Sequence, residues 1–141
     1  MNKEHPQFVS VLVVDQAQDH KGILTNAAFV VGLSAGRTLP ADSFGGKVVD
    51  GEGKEHHELT RIAHFVRKAS QSKLRSLREA ISVNSASVVI DYSEDAAPSD
   101  YQTYTQQLGQ HSGEQITYRA IYFYGPSELV YPLTKNLSRL E

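Results

Sequence analysis

The chain has 141 residues, with Lys+Arg 14 against Asp+Glu 16, a formal net charge of -2 and no cysteine. That length suits one domain, residues 1–141, built on one core, and contents of 40% hydrophobic and 21% charged residues argue against wholesale disorder. Without cysteine there is no disulfide, thiolate metal site or Cys nucleophile, and the near-neutral charge disfavours tRNA or another polyanion as a partner.

Residues 1–7 read as a frayed terminus. They run into the first strand without a hydrophobic targeting region, so a cytoplasmic protein is expected, with no membrane partner. Phe8 to Asp15, FVSVLVVD, is an almost unbroken apolar run, the pattern of a strand buried on both faces. After a polar loop, Lys21 to Ala35 reads as a helix stopped at Gly36. Its segment GILTNAAFVVGLSAG carries no charge and is too short for a bilayer span of about 20 residues, so it is expected to be buried within the protein.

Arg37 to Gly46 is loop, and Lys47 to Thr60 is a hairpin turning at Asp50-Gly51 in type I′ geometry. Arg61 to Arg67 alternates as a strand, with Ile62, His64 and Val66 on one face. Ser70 is the expected N-cap of a helix reaching about Val83, whose Leu74, Leu77 and Ile81 form one apolar stripe. Ala86 to Asp91 is a third core strand. Ser99 to Leu108 is a helix, Gln115 to Tyr124 a long central strand apolar on both faces, and Gly125-Pro126 opens a last helix limited by Pro132. Strands alternating with helices predict a single α/β domain: a mixed, mostly parallel four-stranded sheet with helices on both faces and a small extra hairpin at one edge.

In such a sheet the carboxyl ends of the strands are the usual ligand position. Asp15 ends the first strand, and His20 and Lys21 stand where the next helix opens, where free N–H groups and the helix dipole attract anions. Asn26 lies about one turn inside that uncharged helix, and Asp91 ends the third core strand, as an acid–base or turn residue. Thr134 and Lys135, after the last helix, form a loop or a polar rim of the same site. These residues point to a small anionic ligand, with no metal and no cofactor. Glu55-His56-His57-Glu58 is not a metal site, because adjacent strand residues face opposite ways. Arg67, Lys68, Lys73, Arg75 and Arg78 are the densest basic run, read as solvated stems beside an apolar stripe, with a phosphate patch as the alternative.

Three segments carry a resemblance spanning nearly the whole chain: Gly22-Ile23-Leu24-Thr25-Asn26-Ala27-Ala28; Val49-Asp50-Gly51-Glu52-Gly53; and Tyr101 to Tyr104 with Tyr124-Gly125-Pro126 and Leu133-Thr134-Lys135. They resemble a bacterial family known as domain of unknown function two thousand, which looks like a relative of peptidyl-tRNA hydrolase II. The close Gly125-Pro126 … Leu133-Thr134-Lys135-Asn136-Leu137 is similar to that of the hydrolase. The resemblance implies a mixed sheet flanked by helices and a homodimer. It also implies, if the chain is an enzyme, hydrolysis with Lys21 and Asp91 in catalytic roles. The hydrolase's active lysine falls on Gly22, its Gln on Asn26 and its His on Phe29, while its Asp corresponds to Asp91 or to Asp95 of Asp95-Ala96-Ala97. Three readings follow: a ligand-binding cleft, a working peptidyl-tRNA hydrolase, or a dimeric interaction protein without a ligand.

Overall fold

The computed structural model describes residues 7–97 and 100–140. Its main sheet has five strands in the order β5-β6-β1-β4-β7. These are β1 (Phe8–Asp15), β4 (Ala63–Ala69), β5 (Val88–Ser93), β6 (Tyr118–Pro126) and β7 (Ser138–Arg139). β1 and β6 are interior, as their two-faced apolar pattern requires, and Val9, Val11, Val13, Val14, Ala120, Ile121 and Phe123 are all at most 2% exposed.

Two expectations about the sheet are corrected. It has five strands rather than four, because residues after the last helix add β7 to β4. It is not mostly parallel either: only β1 and β4 pair in parallel, whereas β6 runs antiparallel to both β1 and β5. The connection from β5 to β6 holds the short helix α3 (Tyr101–Leu108), and the chain re-enters the sheet at the end where β5 left it.

Helices cover both faces. Leu74, Leu77 and Ile81 of α2 (Gln71–Ser82) and Val130 of α4 (Ser127–Thr134) pack with Val9, Val11, Val13, Ile121 and Phe123 on one face. Leu24, Ala27 and Val31 of α1 (Lys21–Thr38) pack with Val14, Tyr92 and Ala120 on the other. The Ser70 hydroxyl caps α2 by accepting from the Lys73 N–H. Helix α4 runs through Pro132 to Thr134, beyond the expected limit. Asp100 caps α3; Pro98 and Ser99, placed by the sequence in the loop and at the helix start, lie outside the described residues, as do residues 1–6 of the expected frayed terminus.

Helix α1 runs past Gly36 to Thr38, and it is not enclosed. Only Leu24, Ala27, Val31 and Ala35 are buried, while Phe29 and Leu33 are each 64% exposed. The hairpin forms a separate two-stranded sheet of β2 (Val48–Val49) and β3 (Glu55–His56) instead of joining the edge of the main one. Its positive φ falls at Gly53 (φ 85), not Gly51. With the Asp50 N–H donating to the Lys54 carbonyl at 2.9 Å, this is a three-residue loop with glycine in the left-handed position, not a type I′ turn. Gly125 is required for close approach, because a Cβ there would lie 2.5 Å from Ser87 Oγ.

Candidate functional site

β1, β4 and β5 point the same way, so their carboxyl ends share one edge. At the end of β1, Asp15 Oδ1 accepts from the Ala17 N–H at 3.0 Å, closing the turn. His20 is the N-cap of α1, its Nδ1 accepting from the Ile23 N–H at 3.3 Å. His20 therefore serves the helix as a hydrogen-bond acceptor. Its ring lies over Gly22, where a Cβ would come 3.1 Å from His20 Cε1. Lys21 is exposed on the first turn.

Asn26 lies on α1 and reaches across to β5. Its Nδ2 donates to the Tyr92 hydroxyl at 3.1 Å. This pair stands in a cleft of about 580 Å³ between α1, β5 and α3. Val30, Val31 and Ser34 form the α1 wall, Ile90, Asp91 and Tyr92 the floor, and Tyr101 and Tyr104 the far wall, with Ala96, Ala97 and Asp100 at the corner. Tyr101 and Tyr104 meet edge-on at 5.5 Å. Burial, then the negative charge of Asp91, pushes the Tyr104 phenol up, so it is a neutral donor at physiological pH. A larger cavity, about 770 Å³, opens at the opposite edge of the sheet between Phe8, Phe65, Pro126, Tyr131 and Pro132. It contains none of the expected site residues, and Glu128 is the one charged side chain among its described lining. We take the smaller cleft as the candidate site, because several polar groups converge on it around an apolar body.

Both carboxylates of the cleft are engaged. Asp91 Oδ2 accepts from Arg78 Nε at 3.0 Å. Burial alone would lower the Arg78 pKa, but the bond to Asp91 and nearby negative charge more than offset it and leave it raised. Asp100 accepts from the N–H and the hydroxyl of Thr103, both at 2.8 Å, and these bonds hold its carboxyl below the usual range. Arg75 donates to the carbonyls of Glu114 and Ile116. Arg75 and Arg78 therefore tie the fold together, which corrects the reading of both as freely solvated stems.

Thr134 and Lys135 do not rim the cleft. Thr134 is 2% exposed and its hydroxyl donates to the Val130 carbonyl at 2.8 Å. Lys135 caps α4, whose Val130 packs on the face opposite α1. The structure thus brings Asn26 and Asp91 into the lining of one cleft, leaves Asp15 at the end of β1 and His20 and Lys21 at the start of α1 outside that lining, and separates Thr134 and Lys135. Among the described residues no cluster could hold a metal ion, and His56 bonds Asp50 at 2.8 Å within the hairpin.

Sequence reasoning missed a second group at this edge. Asp95, 6% exposed, bonds His111 Nδ1 at 2.8 Å through Oδ1 and accepts from the fully buried Ser93 hydroxyl at 3.2 Å through Oδ2. It immediately precedes Ala96 and Ala97 in the cleft wall. Asp95 was visible only through the Asp95-Ala96-Ala97 resemblance. His111 gave no signal, since it sits in a glycine-flanked turn 16 residues away.

The placement of Asn26 makes one prediction. Asn26→Ala is expected to cost less than about 1 kcal/mol, because the side chain is exposed and cleft water can take its place on the Tyr92 hydroxyl. Chemical denaturation at unchanged m-value measures it. A loss of about 2 kcal/mol or more would make the bond structural.

No curated protein matches the chain. Among solved structures, a protein of unknown function from Agrobacterium tumefaciens strain C58, Atu0240, superposes with a TM-score of 0.78. At 15% identity, covering 97% of this chain and 100% of the other, that likeness speaks for the fold alone. No helix among the described residues is long and apolar enough to cross a membrane. The family model described as protein of unknown function (DUF2000) matches residues 10–140, and the chain belongs to that family.

Proposed function

We propose that this protein binds a small neutral or cationic ligand with an apolar or aromatic body in the cleft between α1, β5 and α3. One observation carries the reading: Tyr92, Tyr101, Tyr104 and Asn26 converge on about 580 Å³ whose charged lining, among the described residues, is Asp91 and Asp100. That volume is in the range of small-molecule sites. Asp100, with no cation among the described lining, disfavours the anion expected from His20 and Lys21, while the charge of Asp91 is compensated by Arg78. Tyrosine rings suit an aromatic body or an ammonium group, and the Asn26 carbonyl has capacity to accept from the ligand.

We also read the fold as akin to peptidyl-tRNA hydrolase II, on the closing segment from Gly125 to Leu137. Catalysis by Lys21 and Asp91 finds little support, because Asp91 is engaged by Arg78 and Lys21 is outside the cleft lining.

Tyramine and inorganic phosphate are the discriminating probes. Tyramine at millimolar concentration is expected to shift the backbone amide resonances of Asn26, Tyr92 and Tyr101 and to raise the melting temperature by mass action; phosphate is expected to do neither. Tyr101→Ala should abolish the tyramine response. Its own effect on stability should stay within about 0.5 kcal/mol, since Tyr101 is 79% exposed. Phosphate shifts centred on His20 and Lys21, or no response to tyramine, would overturn the reading.

A further inference from the structure

The polar groups of the cleft differ in how far they are committed elsewhere. Asp100 serves α3: it caps the helix, and its two oxygens accept from Thr103, both at 2.8 Å. Asp91 serves α2, its Oδ2 accepting from Arg78 Nε at 3.0 Å. The neutral groups keep more capacity. The Tyr92 hydroxyl accepts from Asn26 Nδ2 and so retains its own proton to donate, while Asn26 retains its carbonyl oxygen as an acceptor. Tyr104 brings a second phenol, held neutral by burial and by the charge of Asp91.

Arg78 reaches Asp91 from the far side. It belongs to α2, on the face of the sheet opposite α1, and is outside the described lining of the cleft. β5 is the outer strand of the sheet, so Asp91 is met by the cleft on one side and by α2 on the other. The Arg78 and Asp91 side chains are 39% and 19% exposed, so water screens the pair only in part. A guanidinium stays charged at every physiological pH. It therefore offsets the charge that Asp91 would offer a ligand, without taking any of the ligand's space.

We infer that the cleft selects an uncharged aromatic molecule bearing a hydroxyl or carbonyl group, and that Arg78 sets this preference from outside by offsetting Asp91. The inference rests on the cleft reading above and narrows it from neutral or cationic to neutral. An ammonium group entering the cleft gives up hydration. It meets one carboxylate already offset by a guanidinium, and another at a helix start, where the dipole offsets it in part. A hydroxyl or carbonyl meets Tyr92, Tyr104 and Asn26, which donate or accept without a charge to desolvate. Arg78 touches no ligand and acts only through Asp91.

Tyramine and tyrosol test this, since they share a phenol and a two-carbon arm and differ in an ammonium against a hydroxyl. Titrating the amide resonances of Asn26, Tyr92 and Tyr101 gives both dissociation constants, and circular dichroism checks that each variant is folded. The wild-type chain should bind tyrosol at least as tightly as tyramine. Arg78→Gln keeps a donor for Asp91 but removes the charge. It should tighten tyramine about 5-fold, the effect of one unit charge about 4 Å away at the dielectric of water, and leave tyrosol unchanged. Arg78→Lys should behave as wild type, and Arg78→Gln combined with Asp91→Asn should restore the wild-type ratio. The Tyr104 phenol gives a readout without any ligand: its pKa should rise further in Arg78→Gln and stay in place in Arg78→Lys. A wild-type preference for tyramine, an unchanged ratio in Arg78→Gln, or equal ratios in Arg78→Gln and Arg78→Lys would overturn the inference and leave the cleft reading standing. If neither compound moves the cleft resonances, the cleft reading fails and the ligand class with it; an unmoved Tyr104 in Arg78→Gln would overturn the role of Arg78 independently.

Discussion

Replacing Phe123 with alanine is expected to destabilise the protein by about 3–5 kcal/mol, the cost of deleting a large side chain from a packed core. Phe123 is 0% exposed and packs among Val9, Val11, Ile121, Leu77 and Val130. Its strand is held on both sides, paired with Val11 of β1 and Val89 of β5. With neighbours fixed on every side, the cavity can collapse only partly, which puts the cost near the top of the range. Since domains of this size have about 5–15 kcal/mol in total, the variant should melt at a far lower denaturant concentration with an unchanged m-value. A loss below about 1 kcal/mol would mean that β6 is not a core strand.

His111→Ala is expected to cost about 1–3 kcal/mol, the scale for leaving a buried partner unsatisfied. The carboxylate of Asp95 is 8% exposed and would retain only the Ser93 hydroxyl. The effect should act on the cleft as well, because Asp95 anchors the turn that presents Ala96 and Ala97 and lies close to Tyr104. A double-mutant cycle with Asp95→Asn isolates the pair: the two losses should be less than additive by about 0.5 kcal/mol or more. Additive losses would show that His111 stabilises the turn without acting through Asp95.

Local pattern was enough where a residue's fate depends on its immediate neighbours. The unbroken apolar runs of β1 and β6 marked them as interior, the Leu74/Leu77/Ile81 spacing marked the buried face of α2, and Ser70 marked where that helix starts. Each signal is short in range: alternation, a 3.6-residue period or a cap. Asn26 and Asp91 were also legible as residues of one sheet edge, because helix starts and strand ends in an α/β sheet converge there, and both line the same cleft.

Tertiary structure alone decided the rest. The antiparallel entry of β6 is set by its pairing with β1 and β5, far apart in the chain, and not by its apolar pattern. Asp91 is held by Arg78, 13 residues earlier, and Asp95 by His111, 16 residues later, pairings that no periodicity encodes. Thr134 looked like a polar rim, but it is the buried last residue of α4. The uncharged sequence of α1 predicted burial on every side, but which face the sheet covers, and which stays exposed, follows only from where β5 and β6 lie. Hydrophobic pattern records how much of a segment must be buried; the partner that buries it is set by contacts distant in the chain.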